Sequence, residues 1–286
     1  MLELKNVSFH YTNGNTIFED VNVEIQKGSI TGFIGKNGVG KSTFFKLVLG
    51  LIKPTNGAIY LFDEDVSQNT DKHLFHKIGG IIENPAAYSF LTGYENLQYF
   101  YQFYAQSDET KIDEVVELFG LQDYIHQKYN TYSIGTKQKF GLCLAFLHKP
   151  ELILLDEPTN GVDPWAVLEI KKIIKTLNAT YHTTFIISSH IISDLLDISD
   201  SLLTFKEKKL TLVSKSGNFS SKTFHIQIEN PNRIDMRFSQ LNLNVHLEAE
   251  NTIVLNAESD MDLNNLLKLL IEHHIRIKEV KPLIEL

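Results

Sequence analysis

The sequence predicts an α/β protein. A parallel sheet is covered by helices, preceded by antiparallel strands, interrupted by a helical subdomain and followed by a small α+β appendage. Three observations carry that prediction. From "SITGFIG" to "IISDLLDI", short apolar runs of strand length alternate with helical patterns, as they do where crossover helices join parallel strands. The opening runs "LELKNVSF" and "DVNVEI" instead alternate apolar with polar, as half-buried strands do. Composition then shifts after "LLTFKEKKLTLVSKSGNFSSK", beyond which alternating strands and one amphipathic helix make a unit of their own.

The elements follow in order. "ITGFI" is nearly all apolar, as a central parallel strand would be, and runs straight into a glycine-rich loop. A helix over "KSTFFKLVLG" stops at Gly50 and Pro54, and the strands "AIYLF" and "KIGGIIE" follow the turn "KPTNG". The helical patterns "GYENLQYFYQFYA" and "ETKIDEVVELFG" do not alternate with strands, so they read as an inserted helical subdomain over about residues 84–150. Next come the strand "ELILLD", the helix "PWAVLEIKKIIKTL", the strand "TTFIISS" and the short helix "IISDLLDI". "KEKK" reads as a solvated hairpin tip and "SKSGNFSSK" as a linker, dividing a domain of residues 1–215 from an accessory domain of 216–286. In the latter, "TFHIQIE", "LNVHLEA", "NTIVLNA" and "IRIKEV" are strands. "MDLNNLLKLLIEHH" is a helix capped by Asp260, with Leu263, Leu266, Leu267, Leu270 and Ile271 at helical spacing. His273 and His274 are adjacent on that helix and do not face one another, which argues against a metal pair.

Bulk properties narrow the function. A chain of 286 residues with 43% hydrophobic content suits one large domain plus a small one around a real core. The net charge of −8 argues against a surface that coats nucleic acid. Cys143 is the single cysteine, so no internal disulfide forms, and its neighbours Leu142, Leu144 and Phe146 make it a packing residue in a reducing compartment. "MLELKNVSFHY" is too charged for a signal peptide, and no apolar run approaches the ~18 to 20 residues that span a bilayer. The expectation is a soluble cytoplasmic chain whose membrane role, if it has one, comes through a partner.

"GKNGVGKST" fits G-x-x-x-x-G-K-[ST], between a predicted strand and a predicted helix. Gly35, Lys36, Asn37, Gly38, Val39 and Gly40 let consecutive backbone N–H groups wrap phosphate oxygens. Lys41 supplies a point charge, Ser42 a hydroxyl for Mg²⁺, and Thr43 continues the helix start. An ordinary glycine turn would not need the Lys-Ser-Thr or those flanks. In "LILLDEP", Asp156 ends a buried strand where it can hold Mg²⁺ through water, and Glu157 follows where a carboxylate polarises an attacking water. A helix N-cap would explain paired acids in isolation, but not beside a phosphate loop. "FIISSH" puts His190 at the carboxyl edge of the sheet, where ligands bind, although a lone histidine is more often structural. A second anion-facing helix start lies at "YSIGTKQ", with Ser133 and Gly135 at its mouth.

In this order and spacing, the loop, "YSIGTKQ", "LILLDEPTNGVD" and "SSH" resemble an ATP-binding cassette (ABC) ATPase over roughly residues 1–215. The resemblance implies a P-loop NTPase core that binds and hydrolyses ATP with Mg²⁺. It also implies that Tyr11 stacks on adenine, that Gly161 and Asp163 form the loop at a dimer contact, and that His190 reaches the γ-phosphate. Two cassettes of this family pair head to tail, so the Ser133–Gly135 start would cover ATP held by a second ATPase subunit. This sequence departs from the family pattern twice. The signature Leu-Ser-Gly-Gly-Gln reads Tyr132, Ser133, Ile134, Gly135, Thr136, and Glu83 stands where a glutamine is usual and becomes a third metal-facing candidate. Both variants look like the exporter branch typified by bacitracin-resistance and lantibiotic-immunity cassettes.

Eight aromatics lie between Tyr88 and Tyr104: Tyr88, Phe90, Tyr94, Tyr99, Phe100, Tyr101, Phe103 and Tyr104. Such density predicts that about half are core and half form an exposed contact patch, in a region that receives a short helix from the membrane subunit in the resembled family. The expected function is an ATPase subunit that sits at the inner face of the membrane through a separate permease and drives export of a peptide or antimicrobial. An importer subunit with a regulatory tail is the first alternative; Glu83 and the signature variant speak against it. A soluble non-transport cassette is the second, and neither a second cassette nor a long coiled coil is present in the sequence to favour it.

Overall fold

A computed structural model describes residues 1–12, 14–67, 72–82, 85, 87–104, 110–214, 222–229, 244–249, 252–257, 266–267, 269–270 and 275–283. The chain forms two compact units, Met1–Val213 and Ser214–Leu286.

In the first unit, β1 (Leu2–His10) pairs antiparallel with β2 (Thr16–Ile25) and with β4 (Asn56–Leu61), and β5 (Glu64–Asp65) completes the order β2-β1-β4-β5. A second sheet runs β10-β9-β3-β8-β7-β6, comprising β3 (Ile30–Ile34), β6 (Ile78–Ile81), β7 (Leu152–Asp156), β8 (Thr184–Ser189), β9 (Ser201–Lys206) and β10 (Lys209–Ser214). Its five strands from β6 to β9 are parallel. Every residue of β3, β7 and β8 is buried, which is why these runs carry no alternation. The β9–β10 hairpin turns on Glu207 and Lys208, at φ of 49° and 64°, the left-handed pair that a two-residue turn requires. That is the hairpin tip expected at "KEKK".

Between the two sheets, α1 (Lys41–Val48) buries Phe44, Phe45, Leu47 and Val48, and Phe44 meets Phe33 edge-to-face at 5.2 Å. The helical subdomain contains α2 (Gly93–Tyr104), α3 (Thr110–Leu118), a 3-10 turn (Tyr129–Thr131) and α4 (Ile134–Phe146). Its aromatics differ from expectation. Tyr88, Phe90, Tyr99 and Phe103 are exposed, Tyr94, Phe100 and Tyr101 are half-buried, and none of these seven is core; the Tyr104 side chain lies outside the described residues. The reason is the helical face. Gly93, Asn96 and Leu97 take the inward positions of α2, and the fully buried Asn96 bonds Tyr88 N, Tyr88 O and Thr92 O. Thr92 and Glu95 close the start of the helix reciprocally, at 2.7 and 3.1 Å.

Helix α4 is seated on β6. A Cβ placed on Gly79 would stand 2.0 Å from the Ala145 carbonyl oxygen, one on Gly141 would meet Pro85, and His148 Nε2 lies 3.1 Å from Ile78 O. Cys143 is free and fully buried in α4, and burial pushes its thiol up. α5 (Pro164–Tyr181) and α6 (Ile192–Leu196) follow β7 and β8. Among the described residues no helix is long and apolar enough to cross a membrane.

The second unit is a four-stranded antiparallel sheet of order β12-β13-β11-β14, from β11 (Lys222–Glu229), β12 (Asn244–Ala249), β13 (Thr252–Ala257) and β14 (Arg276–Leu283). Ile226, Ile228, Ile253 and Leu255 pack with Leu266, Leu270 and Ile275 as its core. Asp260, Leu263, Ile271, His273, His274 and residues 215–221 of the expected linker lie outside the described residues.

Because Gly79 has a backbone carbonyl where its Cβ would stand, Gly79→Ala is expected to cost about 1–3 kcal/mol, the usual range for overpacking. Urea unfolding of the full chain reads this as a lower midpoint at unchanged slope.

Candidate functional site

Three parallel strands deliver the site. β8 lies between β3 and β7, with Ile34 opposite Ser189 and Asp156 opposite Ser188, so the segments that leave their carboxyl ends meet. After β3, the chain turns through Gly35–Gly40 into α1. A Cβ on Gly40, at φ 121°, would stand 2.6 Å from Ile17 Cγ2. Lys36, Asn37 and Gly38 are exposed, while Gly35 and Val39 are half-buried. No side chain caps α1, and Phe44 N bonds back to Gly40 O, so the N–H groups of Lys41, Ser42 and Thr43 have no acceptor within the helix, while Val39 N and Gly35 N bond Lys36 O and Ser189 O.

Lys41 turns back into this loop. It is only 6% exposed, donates to Gly35 O at 2.6 Å, and pairs with Glu157 Oε1 at 2.7 Å. Glu157 Oε2 lies 2.6 Å from His190 Nδ1. Burial opposes the charge on Glu157, but hydrogen bonds from Lys41 and His190 outweigh it and hold the carboxyl below the usual carboxylate range. Ser42 Oγ donates to Asp156 Oδ2 at 2.6 Å, and Ser188 Oγ donates to Asp156 Oδ1 at 2.5 Å. Tyr11 reaches the same loop through its hydroxyl, 2.9 Å from Thr43 Oγ1, and its ring is 39% exposed. Lys41, Ser42, Thr43, Asp156, Glu157, His190 and Tyr11 therefore share one constellation. Glu83 lies outside the described residues.

Ser133, Gly135, Gly161 and Asp163 form a second group. Ser133 is the N-cap of α4, with its Oγ accepting from Thr136 N at 3.2 Å. Asp163 caps α5 by accepting from Trp165 N and Ala166 N, each at 3.1 Å. Gly161 sits at φ 71° with open space around it. Gly135 is different: a Cβ there would stand 2.7 Å from Ala166 Cβ, so its missing side chain is where α4 and α5 touch. Tyr132, which replaces the family leucine, is buried; its hydroxyl donates to Tyr124 O at 2.8 Å, and burial pushes its pKa to about 12. Sequence reasoning passed over Ser188, because β8 also carries hydroxyls at Thr184 and Ser189 and nothing in the sequence singles one out.

Comparison with known proteins agrees with this geometry. Residues 18–160 match the family described as ABC transporter. The ABC transporter ATP-binding protein YhcH of Bacillus subtilis (strain 168) is 37% identical over 284 residues, 98% of this chain and 91% of that protein. The bacitracin transport ATP-binding protein BcrA of Enterococcus faecalis is 38% identical over 200 residues, 70% of this chain and 64% of that protein. Among solved structures, cbiO1 from Clostridium perfringens superposes with a TM-score of 0.69 at 25% identity, covering 76% of this chain and 90% of that one.

The Gly135–Ala166 approach makes a paired prediction. Gly135→Ala alone should lower thermal stability, since overpacking typically costs about 1–3 kcal/mol. Ala166→Gly in the same chain should restore most of that loss, with calorimetry of the single and double variants measuring the coupling.

Proposed function

The chain belongs to the ABC transporter family, and on that premise we propose that it powers a separate membrane permease that exports a peptide antimicrobial. As a member it binds and hydrolyses ATP. The observation that carries the chemistry is the meeting of Lys41, Glu157 and His190 beside the glycine loop. The loop N–H groups and Lys41 hold the phosphates, and Tyr11 lies at the loop mouth to stack on adenine. Phosphate draws Lys41 away from Glu157, whose freed carboxylate orients and polarises the water that attacks the γ-phosphate. His190 reaches the same phosphate from the other side of Glu157. Magnesium, when bound with ATP, offsets charge on the phosphate oxygens. Ser42 and Asp156 fit it as hard oxygen donors already 2.6 Å apart, and Glu83 is the proposed third.

Two further proposals concern partners. Ser133 and Gly135 open a helix toward an anion and would serve ATP held by a second ATPase subunit, with Gly161 and Asp163 at the contact. The exposed Tyr88, Phe90, Tyr99 and Phe103 form a continuous ring cluster, with Tyr88–Phe90 at 5.8 Å, Tyr88–Tyr99 at 5.1 Å and Tyr99–Phe103 at 5.4 Å. Such a surface suits the permease, because exposed aromatic patches mark protein contacts. The similarity to a bacitracin transport protein supports export and a peptide cargo. Residues 1–215 form the proposed ATPase domain and 216–286 the accessory one.

Glu157→Gln keeps shape but removes the charge. ATP should still bind while turnover falls ~10²-fold or more, the range of a positioned acid–base group. Retention of normal turnover would take Glu157 out of the mechanism. For the aromatic face, Phe90→Ser with Phe103→Ser should leave the ATPase rate of the free chain within about twofold, since exposed changes seldom alter stability by more than ~0.5 kcal/mol. Stimulation by permease in proteoliposomes should fall away; undiminished stimulation would assign that surface to something else.

A further inference from the structure

We propose that Ser188 is a positioning residue of the ATPase site, a single buried hydroxyl that fixes where both acids point. The inference rests on the reading of Asp156 and Glu157 as the acids of that site. Ser188 is fully buried in β8, directly opposite Asp156 of β7. Its Oγ donates to Asp156 Oδ1 at 2.5 Å and accepts from Glu157 N at 2.9 Å. A hydroxyl has one proton to give. Here that proton is committed to Asp156, so the chain of donation runs in one direction, from the Glu157 amide through Ser188 to the carboxylate.

The consequence for Asp156 is orientation. Oδ1 is held by Ser188 and Oδ2 by Ser42, so a donor on each oxygen fixes the plane of the carboxylate. The consequence for Glu157 is backbone geometry. At φ 52° it stands in the left-handed region, uncommon for a residue with a side chain, and its N–H is tied to Ser188 Oγ. This bond pins the turn that carries the Glu157 carboxylate back toward Lys41 and His190. Neighbouring Ser189 makes the contrast: its hydroxyl accepts from Ile191 N at 3.0 Å and serves only the local turn. Packing alone does not call for an oxygen at Ser188, since alanine would fill a buried strand position beside Ile186 and Ile187 nearly as well. The oxygen serves two partners, Asp156 at the end of β7 and Glu157 in the turn after it.

The test uses the full chain with Ser188→Ala, Ser188→Thr and Glu157→Gln. Three quantities are measured: dissociation of a fluorescent ATP analogue without Mg²⁺, turnover per nucleotide-binding site, and hydrogen exchange of the segment containing the Glu157 amide. In Ser188→Ala, the loop and Lys41 are untouched, so affinity should stay within about threefold of wild type. Turnover should fall about 10–100-fold, as when a group supporting a site's ligands is removed, with KM for ATP little changed. The Glu157 amide should exchange faster. Ser188→Thr retains the hydroxyl and should recover most of the rate. A Ser188→Ala protein that binds normally and turns over within twofold of wild type overturns the proposal, as does a threonine variant no faster than alanine at equal binding. If alanine or threonine fails to fold, Ser188→Cys decides, because a thiol is a weak donor of similar size: reduced turnover supports the proposal and wild-type turnover rejects it. Failure of the underlying reading is separate, since it appears as undiminished turnover in Glu157→Gln whatever Ser188 does.

Discussion

The site is organised by one buried cation meeting one carboxylate. Lys41 is almost without water, and an ammonium so placed persists only with an anionic partner. Glu157 provides it at 2.7 Å, and the Gly35 carbonyl accepts a hydrogen bond from the same ammonium. That pairing constrains much else. β3 and β7 must flank β8 for residues 41, 157 and 190 to converge, and the loop after Gly35 must bend far enough to return the lysine. Ion pairs of this kind give little net stability against an apolar alternative. Their presence therefore argues for a site whose charges are meant to be exchanged, with a phosphate as the incoming anion.

Much of this was legible in the sequence because the constraints are local. Gly35–Ser42 must be glycine-rich to wrap an anion, and the four apolar residues of Leu152–Leu155 must be apolar to lie in the middle of a sheet. Where contacts cross the chain, the reading failed. The aromatics of α2 looked half core by density, whereas Asn96, a polar residue, holds the inward position by satisfying three backbone groups. The close approach of Gly135 to Ala166, 31 positions away, is invisible to any motif. Ser188 acts across two strands, and only the register Asp156↔Ser188 discloses it.

The two helix starts of the cassette differ in how much of their hydrogen bonding is already met. α1 has no side-chain cap. α4 is capped by its own Ser133, which answers Thr136 N. The second start thus has an N–H group already satisfied by its own chain, whereas the first has no side-chain cap. Tyr132 ties the residue before the Ser133 cap to Tyr124 O in the helical subdomain.

Cys143 has a use apart from packing. It is the only sulfhydryl of the chain, it is sealed inside α4, and its thiolate is suppressed by burial. Native protein is therefore a silent background for thiol-directed probes. A cysteine introduced at exposed Ile134 or Trp165 would be the sole reactive handle, and spin or fluorescent labels there would report distances between paired subunits without any native residue being removed first.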